Sequence, residues 1–318
     1  MNDTDKAITS RCSTRLSRRA FLGAVAAGAG LISLPSRLRA ASGLGITSSA
    51  MAFDGDGLIV AHDTLSRRDG GGALTPLRGP TGGNILSLAT HKDRAGRIAA
   101  GLKSGGVALS EDGGQSWEVG HRGLPDAPVT AVTMAALSLD TLYAAVHGDG
   151  LWKSEDAGRS WILAMDRPWL EGAERDLTAL ASVDLATGMG GIWIYAGTEM
   201  GLTRVPDCLC RWQDVQPGDA MDALISGAAP SPEKPLPAGE PILALVSAAS
   251  LPTKLYAALP SSVWVSEGAG VVWVQRSTSR AEAVAVSPKN ADHVAALTED
   301  GLIQSRNGGM TWTALADL

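Results

Sequence analysis

The octad SEDGGQSW occupies Ser110–Trp117, and a near copy, SEDAGRSW, occupies Ser154–Trp161. Two weaker copies, SEGAGVVW and SRNGGMTW, lie at Ser266–Trp273 and Ser305–Trp312, and a degenerate one, VPDCLCRW, lies at Val205–Trp212. Successive octad tryptophans are 44, 51, 61 and 39 residues apart. Repeats of about 40–50 residues are typical of propeller blades. The octad therefore marks a repeated structural unit.

Each octad belongs to a set of four apolar segments. Before it lies a segment that turns at a glycine, such as Thr141–Lys153, and before that another, such as Val129–Leu137. The octad tryptophan opens a further short segment, so each unit is predicted to form four short strands joined by tight turns. Such a unit cannot bury both of its faces alone, and stacking the units in a closed ring buries them and leaves few exposed edges.

A sixth unit lies at the start of the repeated region. Aligning Ala50–Asp63 with Tyr143–Asp156 matches the Gly-Asp-Gly-Leu turn and places Asp63 on Asp156. In this alignment the unit has lost its tryptophan, and its first strand is missing or very short. Six units predict an all-β, six-bladed propeller. A seventh blade is the alternative if the segment Gln213–Pro241, which we interpret as an inserted loop, contains strands.

The composition agrees with a β fold. The chain has 318 residues, of which 45% are apolar and 19% charged, so a sizeable core is expected. It contains 38 glycines and nine tryptophans, against three tyrosines and two phenylalanines, which favours strands and tight turns over helices. The net charge of −6 lacks the basic footprint of general nucleic-acid binding.

Residues 1–40 are predicted to be an export signal. They contain SRRAFLG at Ser17–Gly23, an apolar run that ends at Leu34, and a small-residue exit at Leu38–Ala40. This order is typical of a cleaved signal rather than a membrane span, and the paired Arg18 and Arg19 resemble a twin-arginine signal. We expect a periplasmic protein that is exported in folded form, with residues 41–318 as one propeller without a membrane span.

Removal of that segment changes the charge. The first forty residues hold seven of the 27 basic and two of the 33 acidic side chains, so the remaining chain has a net charge of −11. Such a surface repels anionic membranes and nucleic acids.

The octads resemble the Asp-box, or bacterial neuraminidase repeat, whose pattern is Ser/Thr-x-Asp-x-Gly-x-Ser/Thr-Trp. Ser110–Trp117 and Ser154–Trp161 match it in full. With the flanking segments, the resemblance extends over nearly the whole mature chain. Sialidases, xyloglucanases, sortilin-type receptors and the photosystem II assembly propeller share this repeat. The resemblance implies a propeller whose boxes join the third and fourth strands of each blade, away from the face that binds ligands.

The chemistry of the octads explains them as structural turns. The aspartate can accept backbone N–H bonds, the glycine supplies a positive φ, the hydroxyl closes the turn, and the tryptophan packs between blades. The residues assigned to this structural role are Ser110, Asp112, Gly114, Trp117, Ser154, Asp156, Gly158, Trp161, Asp207, Trp212, Trp273, Asn307 and Trp312.

Catalysis has weak support in the sequence. The tyrosines, which would include a sialidase nucleophile, all occupy one repeated position, as packing residues do: Tyr143, Tyr195 and Tyr256. A glycoside hydrolase needs two carboxylates across a cleft. Asp176 and Glu282 are candidates because they lie at the heads of first-strand segments, although the sequence favours the interpretation that they are solvated loop acids. Xyloglucanases with this repeat usually use two propellers, and this chain has one.

Metal and cofactor sites are not expected. The five histidines lack the spacing of a metal site, and no cofactor motif is present. Cys208 and Cys210 leave three alternatives open: a disulfide, a soft-metal site, or small residues tolerated in a decayed turn.

The inter-blade loops are the long and varied ones, and strand order places them opposite the octads, where recognition is expected. Within Ala164–Asp176, Trp169 lies outside the repeated positions and is either an exposed platform for a sugar or a protein partner, or a cover for the ring. The predicted ligand or partner face comprises His121, Arg122, His147, Asp149, Arg167, Trp169, Arg175 and Glu199.

These observations favour a non-catalytic, monomeric module that binds or assembles a periplasmic protein or complex. The alternative is a small glycoside hydrolase that acts on a glycan through loop carboxylates.

Overall fold

The computed structural model describes residues 49–185, 191–215 and 234–316. The predicted signal at 1–40 lies outside these residues, as does most of the predicted insertion at 213–241. Within the described part every regular element is a strand. It contains no helix that is long and apolar enough to cross a membrane.

Six antiparallel sheets of four strands follow one another along the chain, each in simple sequential order. Blade 1 comprises β1 (Ala50–Asp54), β2 (Gly57–Ala61), β3 (Leu65–Arg68) and β4 (Thr75–Pro76). Blade 2 comprises β5 (Ile85–His91), β6 (Arg94–Leu102), β7 (Val107–Ser110) and β8 (Glu118–Gly120). Blade 3 comprises β9 (Val129–Met134), β10 (Leu142–Val146), β11 (Gly150–Ser154) and β12 (Ile162–Asp166). A two-stranded hairpin, β13 (Trp169–Leu170) and β14 (Ala173–Glu174), follows blade 3.

The second half repeats the arrangement. Blade 4 comprises β15 (Ala179–Asp184), β16 (Ile192–Thr198), β17 (Gly201–Pro206) and β18 (Gln213–Asp214). Blade 5 comprises β19 (Ala244–Ser247), β20 (Leu255–Leu259), β21 (Ser262–Ser266) and β22 (Trp273–Gln275). Blade 6 comprises β23 (Ala281–Val286), β24 (Val294–Thr298), β25 (Gly301–Ser305) and β26 (Thr313–Ala316). The predicted all-β, six-bladed propeller is confirmed, and the seven-bladed alternative is not supported.

The first strand of each blade is innermost and packs against the first strands of both neighbours, so that β1 contacts β5 on one side and β23 on the other. Threonine hydroxyls also join adjacent blades near the channel. Thr130 donates to the carbonyl of Leu177, and Thr178 donates to that of Ile242, both at 2.7 Å. Adjacent blades are therefore joined both by packing and by side-chain hydrogen bonds.

The structure of blade 1 differs from the sequence alignment by one strand. Ala50–Asp54 was aligned with a second strand, but β1 is a complete first strand, and β2 is the second. Asp63 consequently lies in the turn between β2 and β3 and does not correspond to Asp156. The cause is that a tight Gly-Asp-Gly turn has the same local chemistry in any hairpin. Here it joins the first and second strands, whereas in blade 3 it joins the second and third.

Each of the six blade interfaces holds a cluster of buried apolar side chains. In five of them an octad tryptophan packs between its own blade and the preceding one, as Trp161 and Trp273 do at 3% and 1% exposure. The sixth interface, between blades 6 and 1, instead contains Phe53, whose ring lies 5.0 Å from that of His293. The octad repeat thus supplies one interface anchor per blade, except where the ring closes.

Candidate functional site

The octad turns are held together by their own side chains. In blade 2, Ser110 Oγ accepts a hydrogen bond from the amide of Gly114 at 2.8 Å and donates to Asp112 Oδ1 at 2.8 Å. The Asp112 carboxylate also accepts from the amide and the hydroxyl of Ser116. The Trp117 indole donates to the carbonyl of Arg78, in the connection from blade 1, at 3.0 Å. The side-chain polar groups of Ser110, Asp112, Ser116 and Trp117 are thus used inside the scaffold.

Blades 3 and 6 repeat this geometry. Asp156 accepts from Ser160, and Asn307 accepts from the amide of Thr311 while its own Nδ2 donates to the Thr311 hydroxyl. Hydrogen bonds from Ser116 and Ser160 lower the pKa of Asp112 and Asp156 from 3.8 to about 2. Asn307 shows that an amide forms the same turn without a charge.

Acid should therefore destabilise the ring through these two carboxylates. Because their folded pKa is depressed, their contribution is present above about pH 4 and is lost as the pH falls towards 2. The double variant Asp112→Asn/Asp156→Asn should show a shallower fall in melting temperature between pH 4 and pH 2 than the parent protein. Parallel curves for the two proteins would contradict this assignment.

The degenerate octads depart from this pattern in different ways. In blade 5, Ser266 still accepts from the amide of Gly270, and the Trp273 indole donates to the Gly270 carbonyl at 2.7 Å. In blade 4, Cys208 and Cys210 form a disulfide. That bond settles the alternatives left open for the pair and removes both thiols as metal ligands. No group of three or more metal-ligating residues occurs in the described ranges.

The upper rim is the end of the ring opposite the octad turns, formed by the turns between second and third strands and by inter-blade loops. The hairpin β13–β14 stands on this rim between blades 3 and 4. Glu171 and Gly172 form its tight turn with φ of 52° and 79°. Trp169, on its first strand, is 69% exposed, the highest value among the large apolar side chains described. The sequence predicted an irregular loop here, and the Glu-Gly turn was the missed signal.

An ion-pair network lies beside this hairpin. Asp176 accepts from Arg167 Nη1 at 3.1 Å and from the amide of Gly148 at 3.0 Å, and its other oxygen lies 3.1 Å from His147 Nδ1. Arg167 also donates to Glu174 on the hairpin. The guanidinium thus ties the hairpin to the head of blade 4. Its carboxylate partners hold Arg167 in one position beside Trp169.

Two further contacts extend the network. Arg175 Nη1 donates to Glu199 Oε1 at 2.8 Å, which joins the hairpin loop to the β16–β17 turn. Within blade 3, beside the hairpin, Asp149 accepts a hydrogen bond from the Trp152 indole at 2.7 Å. The structure therefore gathers six of the eight predicted face residues on this part of the rim: His147, Asp149, Arg167, Trp169, Arg175 and Glu199.

The other two predicted face residues, His121 and Arg122, lie in the inter-blade loop between blades 2 and 3. The carbonyl of Arg122 accepts from the amide of Trp161 at 2.9 Å, and that of His121 accepts from the amide of Leu124. Their loop runs along the junction of blades 2 and 3, next to the blade 3 octad. Neither residue joins the described ion-pair network.

The two candidate catalytic carboxylates are in separate environments. Asp176 is paired with Arg167 and His147 beside blade 3, whereas Glu282 accepts from Ser49 Oγ at 2.8 Å where blades 6 and 1 meet. The junction of blades 3 and 4 is opposite the junction of blades 6 and 1 in a six-membered ring. A glycosidase pair faces one scissile bond across about 5–10 Å. The structure shows no contact that brings these two carboxylates to a common bond.

The tyrosines are packing residues, as the repeat predicts. Tyr143, Tyr195 and Tyr256 are at most 1% exposed. Tyr195 and Tyr256 donate their hydroxyls to the backbone carbonyls of Ala269 and Ala291, in the adjacent blades. Burial raises the pKa of Tyr256 to about 12. A phenol in such a position cannot serve as a nucleophile near neutral pH.

Comparison with protein-family models gives no match, and comparison with curated protein sequences gives none either. Among solved structures, a GH74 xyloglucanase from Xanthomonas campestris matches at 18% identity and a TM-score of 0.52, over 84% of this chain and 47% of that chain. The propeller domain of Cps50 (Swd1) from Myceliophteria thermophila matches at 15% identity and 0.52, over 81% and 96%. YCF48 bound to D1 peptide matches at 16% identity over 84% and 82%, with a TM-score of 0.48 that supports no inference.

At these identities the first two matches show a shared propeller fold and no more. The chain spans about half the length of the xyloglucanase structure that it matches. The xyloglucanase and the Cps50 domain share this architecture, so the fold does not identify the function. The function has to be argued from the surface of this chain.

Proposed function

We propose that the chain is a non-catalytic binding module that uses the upper rim around Trp169 to hold a protein partner. The observation that carries this proposal is the exposed Trp169 on a hairpin fixed by Arg167 and Arg175. Tryptophan is the residue type most enriched among residues that dominate binding energy. An anchor that is already held in place loses little entropy when it binds.

The charges around Trp169 define the partner further. Glu171 and Glu174 are exposed and Glu199 is half-buried, whereas the two nearby guanidinium groups are occupied by carboxylates of this chain. A partner segment with basic residues around an apolar side chain complements such a surface. The location of this protein in the periplasm is also part of the proposal, and it rests on the sequence of residues 1–40. Export of an Arg18→Lys/Arg19→Lys variant at the normal rate would contradict that part.

The test compares capture from periplasmic extract by the parent protein, by Trp169→Ala and by Met310→Ala. Met310 is a matched control because it is 68% exposed but lies in the blade 6 octad, at the opposite end of the ring. Trp169→Ala should weaken binding of the captured partner by about thirtyfold, which corresponds to about 2 kcal/mol. Met310→Ala should leave the affinity unchanged.

Equal capture by the parent and Trp169→Ala would refute the proposed face. The glycoside hydrolase alternative has its own test, a screen of glycan substrates. Turnover that is abolished by Asp176→Asn or Glu282→Gln would replace the binding module by an enzyme.

A further inference from the structure

The turn of blade 4 that carries the disulfide has lost the side-chain lock of the other octads. Val205 and Arg211 stand where Ser110 and Ser116 stand in blade 2, so the hydroxyls that hold the aspartate are missing. Leu209 takes the place of Gly114 and keeps a left-handed backbone, with φ of 54°. A side chain at such a position is unfavourable. The disulfide spans this residue, with a Cα–Cα distance of 5.5 Å.

Solvent reaches both cysteines. Cys208 and Cys210 are exposed, whereas Leu209 between them is half-buried and packs into the cluster between blades 3 and 4. The leucine anchors the turn, and the two sulfur-bearing residues lie on the outside of the molecule. A thiolate of another molecule can approach either sulfur without local unfolding.

The turn does not need the disulfide to keep its shape. The amide of Asp207 donates to the carbonyl of Ile192 at 3.0 Å, and that of Leu209 donates to Pro206 at 2.8 Å. After the turn, the Trp212 indole donates to the carbonyl of Asp166 at 2.8 Å. The stabilisation that a disulfide provides grows with the length of the loop that it closes, and these cysteines are two positions apart. The bond therefore stabilises the fold less than a disulfide that closes a long loop.

We propose that Cys208–Cys210 is a thiol–disulfide exchange site for an external dithiol. A thiolate of the dithiol attacks one sulfur, the Sγ–Sγ bond breaks, and a mixed disulfide and one free cysteine thiolate form. The second thiolate of the dithiol then attacks the mixed disulfide and releases the other cysteine. The dithiol loses two electrons and becomes a disulfide. The cysteine pair gains them, and its two thiolates take up the two protons.

The cysteine pair shares no residue with the proposed binding face. The blade 4 turn lies on the octad side of the ring, and Trp169 lies on the upper rim. Exchange at the cysteines requires no partner at the rim, so the two proposals fail independently. Exposed disulfides of this kind are generally more easily reduced than the buried, structural ones.

The experiment equilibrates the protein with mixtures of reduced and oxidised glutathione. Cys12, the third cysteine, is replaced by serine so that only the pair reports. Free thiols are alkylated and counted by mass spectrometry. The controlled variable is the squared concentration of reduced glutathione divided by the concentration of oxidised glutathione. The reduced fraction of the cysteine pair should rise from one tenth to nine tenths over about a hundredfold change in this ratio, as a two-electron exchange requires. Cys208→Ser and Cys210→Ser should each hold glutathione as a mixed disulfide, and the double variant should not.

The melting temperature of the reduced protein distinguishes exchange from bracing. It should equal that of the oxidised protein, because the backbone hydrogen bonds and Trp212 hold the turn. A pair that stays oxidised in excess reduced glutathione would overturn the proposal. A reduced protein that melts several degrees lower would overturn it as well, since the disulfide would then be a structural brace.

Discussion

Replacing Trp273 by alanine is expected to lower the free energy of unfolding by about 3–5 kcal/mol, the usual loss for a large buried aromatic side chain. Trp273 is 1% exposed in the cluster between blades 4 and 5, and its indole donates to Gly270 at 2.7 Å. The substitution removes the anchor of one blade interface and leaves a cavity that a strand-built ring cannot easily collapse.

Trp169→Ala is the matched control, because the residue type and the substitution are the same. Its side chain is 69% exposed, so the free energy of unfolding should change by less than about 0.5 kcal/mol. Urea denaturation followed by circular dichroism measures both variants without relying on tryptophan fluorescence. A large loss of stability in Trp169→Ala would show that this residue covers the ring, and the proposed binding face would be abandoned.

The architecture could be predicted because its signals are local. The octad side chains form hydrogen bonds within their own turn. Each octad therefore contains its whole signal within eight consecutive residues. Ser110 and Asp112 illustrate this, since all their partners lie within six residues. Six such units then leave a closed ring as the way to bury both faces of each sheet.

Blade 1 shows where local signals end. The turn at Gly55–Gly57 has the same chemistry whether it joins first to second strands or second to third. What makes β1 innermost is its packing against β5 and β23, which lie far away in sequence. An alignment based on the turn alone therefore shifted the blade by one strand.

The candidate site was predictable in its anchor but not in its support. Trp169 was identified because it lies outside the repeated positions. The network beside it joins Asp176, Arg167 and His147, which come from different connections and meet only in the folded ring. The loop of His121 and Arg122 is another inter-blade loop, but its backbone contacts Trp161 of blade 3 and it does not join the network.

A glycine explains how that loop is fixed. Gly123 has φ of 94°, and a Cβ at this position would overlap the carbonyl oxygen of Trp161, whose amide donates to Arg122 at 2.9 Å. Gly123→Ala is therefore expected to cost about 2–4 kcal/mol, from the left-handed backbone and from the overlap together. Gly148, at φ of 74° with no atom within 4 Å of a Cβ, is the matched control. Gly148→Ala should cost only about 1 kcal/mol, the backbone part alone.

The difference between these two alanine variants measures the contact between blades 2 and 3. Urea denaturation of both variants, at the same pH and salt, gives it directly. If the two substitutions cost the same, the loop does not pack against Trp161. The loop would then be free to bring His121 and Arg122 towards the ion-pair network beside Trp169, and the binding face would be larger than the six residues gathered there. If Gly123→Ala costs the additional 1–3 kcal/mol expected of overpacking, the loop is part of the scaffold. Recognition would then be confined to the rim around Trp169.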